Sequence, residues 1–196
     1  MLFPTVARVS AEELERGLTN LVRDGAYAQA SGALTGGVLL VGYGLALGAS
    51  YFVIGLLAAV PFLAQLAQVP TILLVERLRA RRLITVASLG VSRLLLIPLA
   101  LLPFLAAPAS AQALLIVGAG GGALLNAMSA CAWNSWIHDL VPERMLGAFF
   151  GRRLFYATGF TVFIGLAAGV FVDWGGERGI GGPAQAYTVL FLAGAL

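Results

Sequence analysis

The chain has 196 residues, 60% of them hydrophobic and 11% charged, with a net charge of +3. A soluble domain carries about 25% charged and about 45–50% apolar residues, so a water-facing globule is excluded, and a mean hydropathy of +0.93 asks for lipid as the solvent. Every basic residue is an arginine. Without aromatic residues interleaved among them, these arginines argue for membrane topology and against a nucleic-acid partner. Cys131 is the single cysteine, which precludes an intrachain disulfide.

The first 23 residues hold Glu12, Glu13, Glu15, Arg16 and Arg23 and lack the apolar stretch of a cleaved signal. Residues 10–23 predict a short amphipathic helix on the membrane surface. Ser10 and Glu13 have capping-box spacing. Leu14, Leu18 and Leu21 share a face, and the acids lead while Arg16 and Arg23 follow, as the helix dipole favours. Residues 1–23 thus read as a cytoplasmic segment and 24–196 as a transmembrane helical bundle.

No charged residue stands between Asp24 and Glu76, between Arg93 and Asp139, or between Arg153 and Asp173. One helical crossing needs about 20 apolar residues. These runs are continuous rather than alternating, which favours helices over a barrel. The predicted crossings are 24–48, 51–75, 83–106, 111–138 and 147–173, with an incomplete sixth at 184–196. Gly48-Ala49-Ser50 is a turn, 76–82 (ERLRARR) a basic loop, 139–146 a second loop, and 173–183 a polar, glycine-rich one. Pro98 is expected to bend the third crossing. The last segment is too short to span, so the natural chain is expected to continue. With the N-terminus in the cytoplasm, Arg8, Arg16, Arg23, Arg77, Arg79, Arg81, Arg82, Arg144, Arg152 and Arg153 are cytoplasmic and Arg178 alone is outside, which obeys the positive-inside rule. Small residues recur four apart at Gly32/Gly36, Gly44/Gly48, Gly118/Gly122 and Gly165/Gly169, a spacing that permits close helix approach or reflects the abundance of glycine in membrane helices.

Polar groups inside the crossings are the candidate functional residues, because lipid-facing polar groups are costly. Asp24, Tyr27, Ser31 and Thr35 recur at helical spacing on the first crossing. As a set they read as a cavity wall, with Asp24 either a proton or cation site or a boundary cap. Arg93 needs a partner or a water path, and substrate contact, helix pairing and snorkelling are its three readings. Asn126, Ser129 and Asn134 form a polar face on the fourth crossing, serving either a cavity or interhelical hydrogen bonds. Trp133, Trp136 and His138 suit an interfacial belt, and Cys131 with His138 falls short of a metal site. The chain contains no nucleophile–base pair, Walker loop or metal constellation, so neither an enzyme nor a cofactor is expected.

Trp133–Arg153, WNSWIHDLVPERMLGAFFGRR, resembles the end of the fourth helix and the following loop in a bacterial branch of the major facilitator superfamily, with Leu146 where that branch has Arg. Glu76-Arg77 and Arg81-Arg82 match the basic 2–3 loop of the superfamily loosely, with Ile72 and Arg79 in place of its glycines. Gly165 and Gly169 fit part of the antiporter pattern, and Val170 replaces its proline. The resemblance implies an all-α six-helix half, built from inverted three-helix repeats. It implies a secondary active transporter that moves a small-molecule substrate across the cell (inner) membrane by alternating access. Proton or cation coupling stays open, and a C-terminal half of the same chain would face this one. It also implies a cytoplasmic gating network among Glu76, Arg77, Arg81, Arg82, Asp139, Glu143, Arg152 and Arg153. A solvated charged rim is the competing reading, in which each pair contributes about 0–1 kcal/mol. For the chain as a whole, the alternative is a structural, assembly or sensor subunit without transport.

Overall fold

The computed structural model describes residues 11–78, 80–105, 107–141, 143–177 and 183–196. Every element among them is helical: α1 (Ala11–Thr35), α2 (Gly37–Ala46), α3 (Tyr51–Ala64), α4 (Gln68–Leu78), α5 (Arg81–Ala100), α6 (Leu102–Leu105), α7 (Pro108–Leu140), α8 (Glu143–Glu177) and α9 (Pro183–Ala195). Four helices are long and apolar enough to cross a membrane: Tyr51–Leu78, Arg81–Ala100, Ser110–His138 and Glu143–Gly175. Their outward faces are apolar. Phe52 is 80% exposed and Phe155 75%, which only a lipid or protein surround would tolerate on this scale.

The first segment differs from expectation. Residues 11–23 and the start of the predicted first crossing form one continuous helix, α1, which holds no proline and runs through Gly17 and Gly25 unbroken. Ser10, and with it the expected capping box, lies outside the described residues. The predicted crossing 24–48 is instead interrupted at Gly36. That residue is extended, and Gly37 has φ +52°, a left-handed conformation open to glycine at no steric cost. Gly48, with φ +76°, then makes the expected turn, and Ser50 caps α3 by accepting from the Val53 N–H at 3.4 Å. A tight turn at Gln65–Ala67 joins α3 to α4. Pro70 explains it: proline has no N–H for the Leu66 carbonyl, and the chain tightens just before it. α8 runs on to Glu177, past the predicted end at 173. Residues 178–182, and with them Arg178, lie outside the described residues.

α5 and α7 form the most extensive pair and run antiparallel. Ser129 donates to the Thr85 carbonyl at 3.1 Å, Ser92 to the Gly122 carbonyl at 3.2 Å, and the Leu99 side chain lies against Gly118. α1 packs along α8, α7 also packs along α3 and α4, and α9 sits among α5, α1 and α8. The main core joins Leu40, Tyr43, Leu57, Leu99, Leu115 and Phe191. A second cluster, Val22, Ile137, Val141 and Phe149, closes the other end. All described arginines except Arg93 lie toward that second end, where α4 turns into α5 and α7 turns into α8.

The end of α5 is held by side chains from two other helices. Pro103 has no N–H to offer the Leu99 carbonyl four residues back, and the Phe104 N–H donates to Leu101 instead of Ala100. Tyr43 donates its hydroxyl to the Leu99 carbonyl at 2.8 Å, and Thr188 donates to the Ala100 carbonyl at 2.7 Å. Both bonds are buried, and they supply donors where lipid would supply none. Tyr43 is also stacked at a tilt on Phe191, ring centroids 4.9 Å apart.

Candidate functional site

α1 and α8 run parallel and leave between them a groove of about 380 Å³. Thr19, Val22, Arg23, Ala26 and Tyr27 form its α1 wall, and Arg152, Tyr156 and Phe160 its α8 wall. The local sequence explains the match. Arg23 and Tyr27 are four apart on α1, Arg152 and Tyr156 four apart on α8, and that spacing places each pair on one helix face. Tyr27 is 76% exposed. The Arg152 guanidinium lies 6.0 Å from the Tyr156 ring centroid. The groove is therefore amphipathic, with guanidinium groups at one end and aromatic surface along the rest.

Behind it, Arg153 points inward. Its guanidinium stacks on the Trp133 ring of α7 at 4.2 Å, a cation–π contact. It also passes so close to Gly25 of α1 that a β-carbon there would fall 2.5 Å from Nε. That Nε is buried and has no hydrogen-bond partner among the described residues. Asp24 is the acid whose charge acts on both Arg153 and Arg93. Arg93, half-buried on α5, donates to the Gly194 carbonyl of α9, which also accepts from Ser31. Arg93 thus ties α5 to α9.

The polar stripe predicted within residues 24–48 divides. Tyr27 and Asp24 are exposed, and Tyr27 lines the groove. Ser31 is buried against α9, and Thr35 donates to the Ser31 carbonyl while its methyl meets Gly194. The expectation that Tyr27, Ser31 and Thr35 form one wall therefore gives way to a split, because α9 packs over the stripe from Ser31 onward. On α7, Asn126 donates to the Ser92 hydroxyl at 2.8 Å and to Gly122, and Ser129 is buried on α5. Both serve interhelical bonding, with Asn126 still exposed at its edge; Asn134 is exposed. Among the expected gating residues, Arg81 donates to the Ser135 carbonyl at 3.4 Å. Arg82 stands exposed at the same helix start, and Glu76, Arg77, Glu143 and Arg152 are exposed at this end. Arg79 and the Asp139 side chain lie outside the described residues. Among the glycine pairs, Gly44 meets Leu57, Gly118 meets Leu99, and Gly165 and Gly169 face open space.

The places of Arg23, Tyr156 and Phe160 in a groove were not apparent from the sequence. The repeated Arg-x-x-x-Tyr was the available signal, but it becomes meaningful only once α1 and α8 are known to be neighbours.

No family model, curated protein or solved structure matches this chain.

Proposed function

We propose that the chain is one six-helix half of a secondary transporter of the major facilitator type, carrying a small solute across the cell membrane by alternating access. The helix pairing carries the reading. Number the crossings I (α1 with α2), II (α3 with α4), III (α5 with α6), IV (α7), V (α8) and VI (α9). The principal pairs are I with V, II with IV, III with IV, I with VI and III with VI, and V also meets VI more closely than II meets III. Exchanging the first three crossings with the last three turns I–V into IV–II and III–IV into VI–I, and returns III–VI to itself. Crossings I and IV run in opposite directions, so the exchange is an inversion, the pattern expected of two inverted three-helix repeats. The break at Gly36–Gly37 inside the first crossing adds a second transporter-like feature, a discontinuous helix.

In this reading the arginine-rich end is cytoplasmic, as is the N-terminus. Tyr27, Arg152, Tyr156 and Phe160 face the solute path, and a second bundle faces the groove. Glu76, Arg77, Arg81, Arg82, Asp139, Glu143 and Arg152 form the gating rim. Arg153 couples α8 to α1 and α7 through Gly25 and Trp133.

The test is side-specific thiol labelling in sealed vesicles on a Cys131→Ala background, followed by uptake in proteoliposomes of the full-length protein. Cysteines at Arg77 and Arg144 should label from the cytoplasmic side and cysteines at Ser50 and Ser110 from the other. Tyr27→Ala should depress uptake of the transported solute at normal expression. Labelling of Ser50 and Arg144 from one side, or normal uptake by the Tyr27 variant, would overturn the reading.

A further inference from the structure

The geometry points to an amphipathic anion as the ligand of the α1–α8 groove, its phosphate or carboxylate between Arg23 and Arg152 and its apolar body along Tyr27, Tyr156 and Phe160. The inference rests on reading this groove as the solute path, and it names the class of solute.

Charge and shape both contribute. Arg23 and Arg152 stand on opposite walls of one groove, each exposed and each four residues before a tyrosine. Guanidinium forks are suited to carboxylate and phosphate oxygens, and both Arg23 and Arg152 line this one groove. The remaining lining is mainly aromatic and apolar, with Tyr156 44% and Phe160 49% exposed. A small inorganic anion would leave that surface wetted, and a neutral apolar molecule would leave both guanidinium groups unanswered. A cation is disfavoured by the local balance. Within this part of the molecule Arg23, Arg152 and Arg153 outnumber Asp24, whose charge acts on Arg153 and Arg93. Glu12 and Glu15 lie further out along α1, and Glu12 is paired with Arg16.

The required chemistry is shared by a soluble aromatic or alkyl phosphate and by the headgroup of an anionic phospholipid entering from the bilayer. The experiment separates the two sources. Full-length protein is reconstituted in phosphatidylcholine nanodiscs and titrated with 1-naphthyl phosphate, 1-naphthol and inorganic phosphate. The naphthyl phosphate should bind at least about tenfold more tightly than either of the others, since only it engages both ends of the groove. Arg23→Gln and Arg152→Gln should each weaken it by about tenfold while leaving naphthol unchanged, with Arg152→Lys partly restoring affinity. Phe160→Ala should weaken naphthyl phosphate and leave inorganic phosphate unchanged. Repeating the titration with phosphatidylglycerol in the discs assigns the source: displacement of the probe means a lipid headgroup, and undisturbed binding means a free solute. Equal affinity for naphthol and naphthyl phosphate, or unaltered binding in both glutamine variants with wild-type thermal stability, would overturn the inference. Solute uptake without probe binding sinks this inference alone, whereas probe binding without any uptake sinks the transport reading and leaves the binding site standing.

Discussion

The end of α5 offers the sharpest test of how this bundle is held together. Thr188→Val keeps the shape of the side chain and removes the hydroxyl that donates to the Ala100 carbonyl at 2.7 Å. The Phe104 N–H, which would close on Ala100 in an unbroken helix, is engaged with Leu101. Interhelical hydrogen bonds in membranes average about 0.6 kcal/mol, with a maximum near about 1.7 kcal/mol. A buried carbonyl stripped of its donor costs about 1–3 kcal/mol. The substitution should therefore destabilise the protein by about 1–3 kcal/mol. Tyr43→Phe removes the bond to Leu99, but that carbonyl keeps a backbone donor from the helix cap. Its cost should be smaller, about 0.6–1.7 kcal/mol. Thr161→Val is the control. Thr161 bonds back to Ala157 within its own helix, so removing that hydroxyl should change stability by less than about 0.5 kcal/mol. The assay is reversible unfolding in mixed micelles, titrated with dodecyl sulfate and followed by circular dichroism. If Thr188→Val and Thr161→Val fall within about 0.3 kcal/mol of each other, the carbonyls at the end of α5 do not depend on these donors and the reasoning fails.

Further substitutions probe close helix contacts. Gly118→Ala places a β-carbon 2.5 Å from the buried Leu99 side chain, whereas Gly165→Ala meets nothing within 4 Å; the first should cost about 1–3 kcal/mol in the same unfolding assay and the second should be neutral or stabilising by about 0.5–1 kcal/mol. Comparable losses at both glycines would refute the α5–α7 register. Gly25→Ala should push the Arg153 guanidinium off Trp133 and change the emission of that indole in a background lacking Trp136 and Trp174. Trp133→Phe weakens the same cation–π contact by about 0.5–2 kcal/mol, so the double variant should lose less stability than the sum of the two; strict additivity would mean that Arg153 does not bridge α1 and α7.

Composition and the long uncharged runs were enough to establish an all-helical chain with apolar, membrane-length helices, because an α-helix is the local way to satisfy its own backbone in lipid and needs only a run of residues. The turn at Gly48 and the polar start of α5 were likewise local features. The joining of residues 11–23 to the following segment as α1, and the break at Gly36–Gly37 after it, lay beyond a charge-based reading. Charge marks where water begins, whereas helix continuity depends on backbone breakers, and glycine interrupts one helix and not another according to its neighbours. Candidate residues could be named from the expense of a polar group in lipid, but their partners could not. Ser31 and Tyr27 lie one helical turn apart, and only the packing of α9 over one of them separates a structural hydroxyl from an exposed groove residue. Arg23, Arg152, Tyr156 and Phe160 come together because α1 and α8 lie side by side although far apart in the chain. That adjacency is a property of helix faces meeting in three dimensions, which the residues of neither helix specify alone.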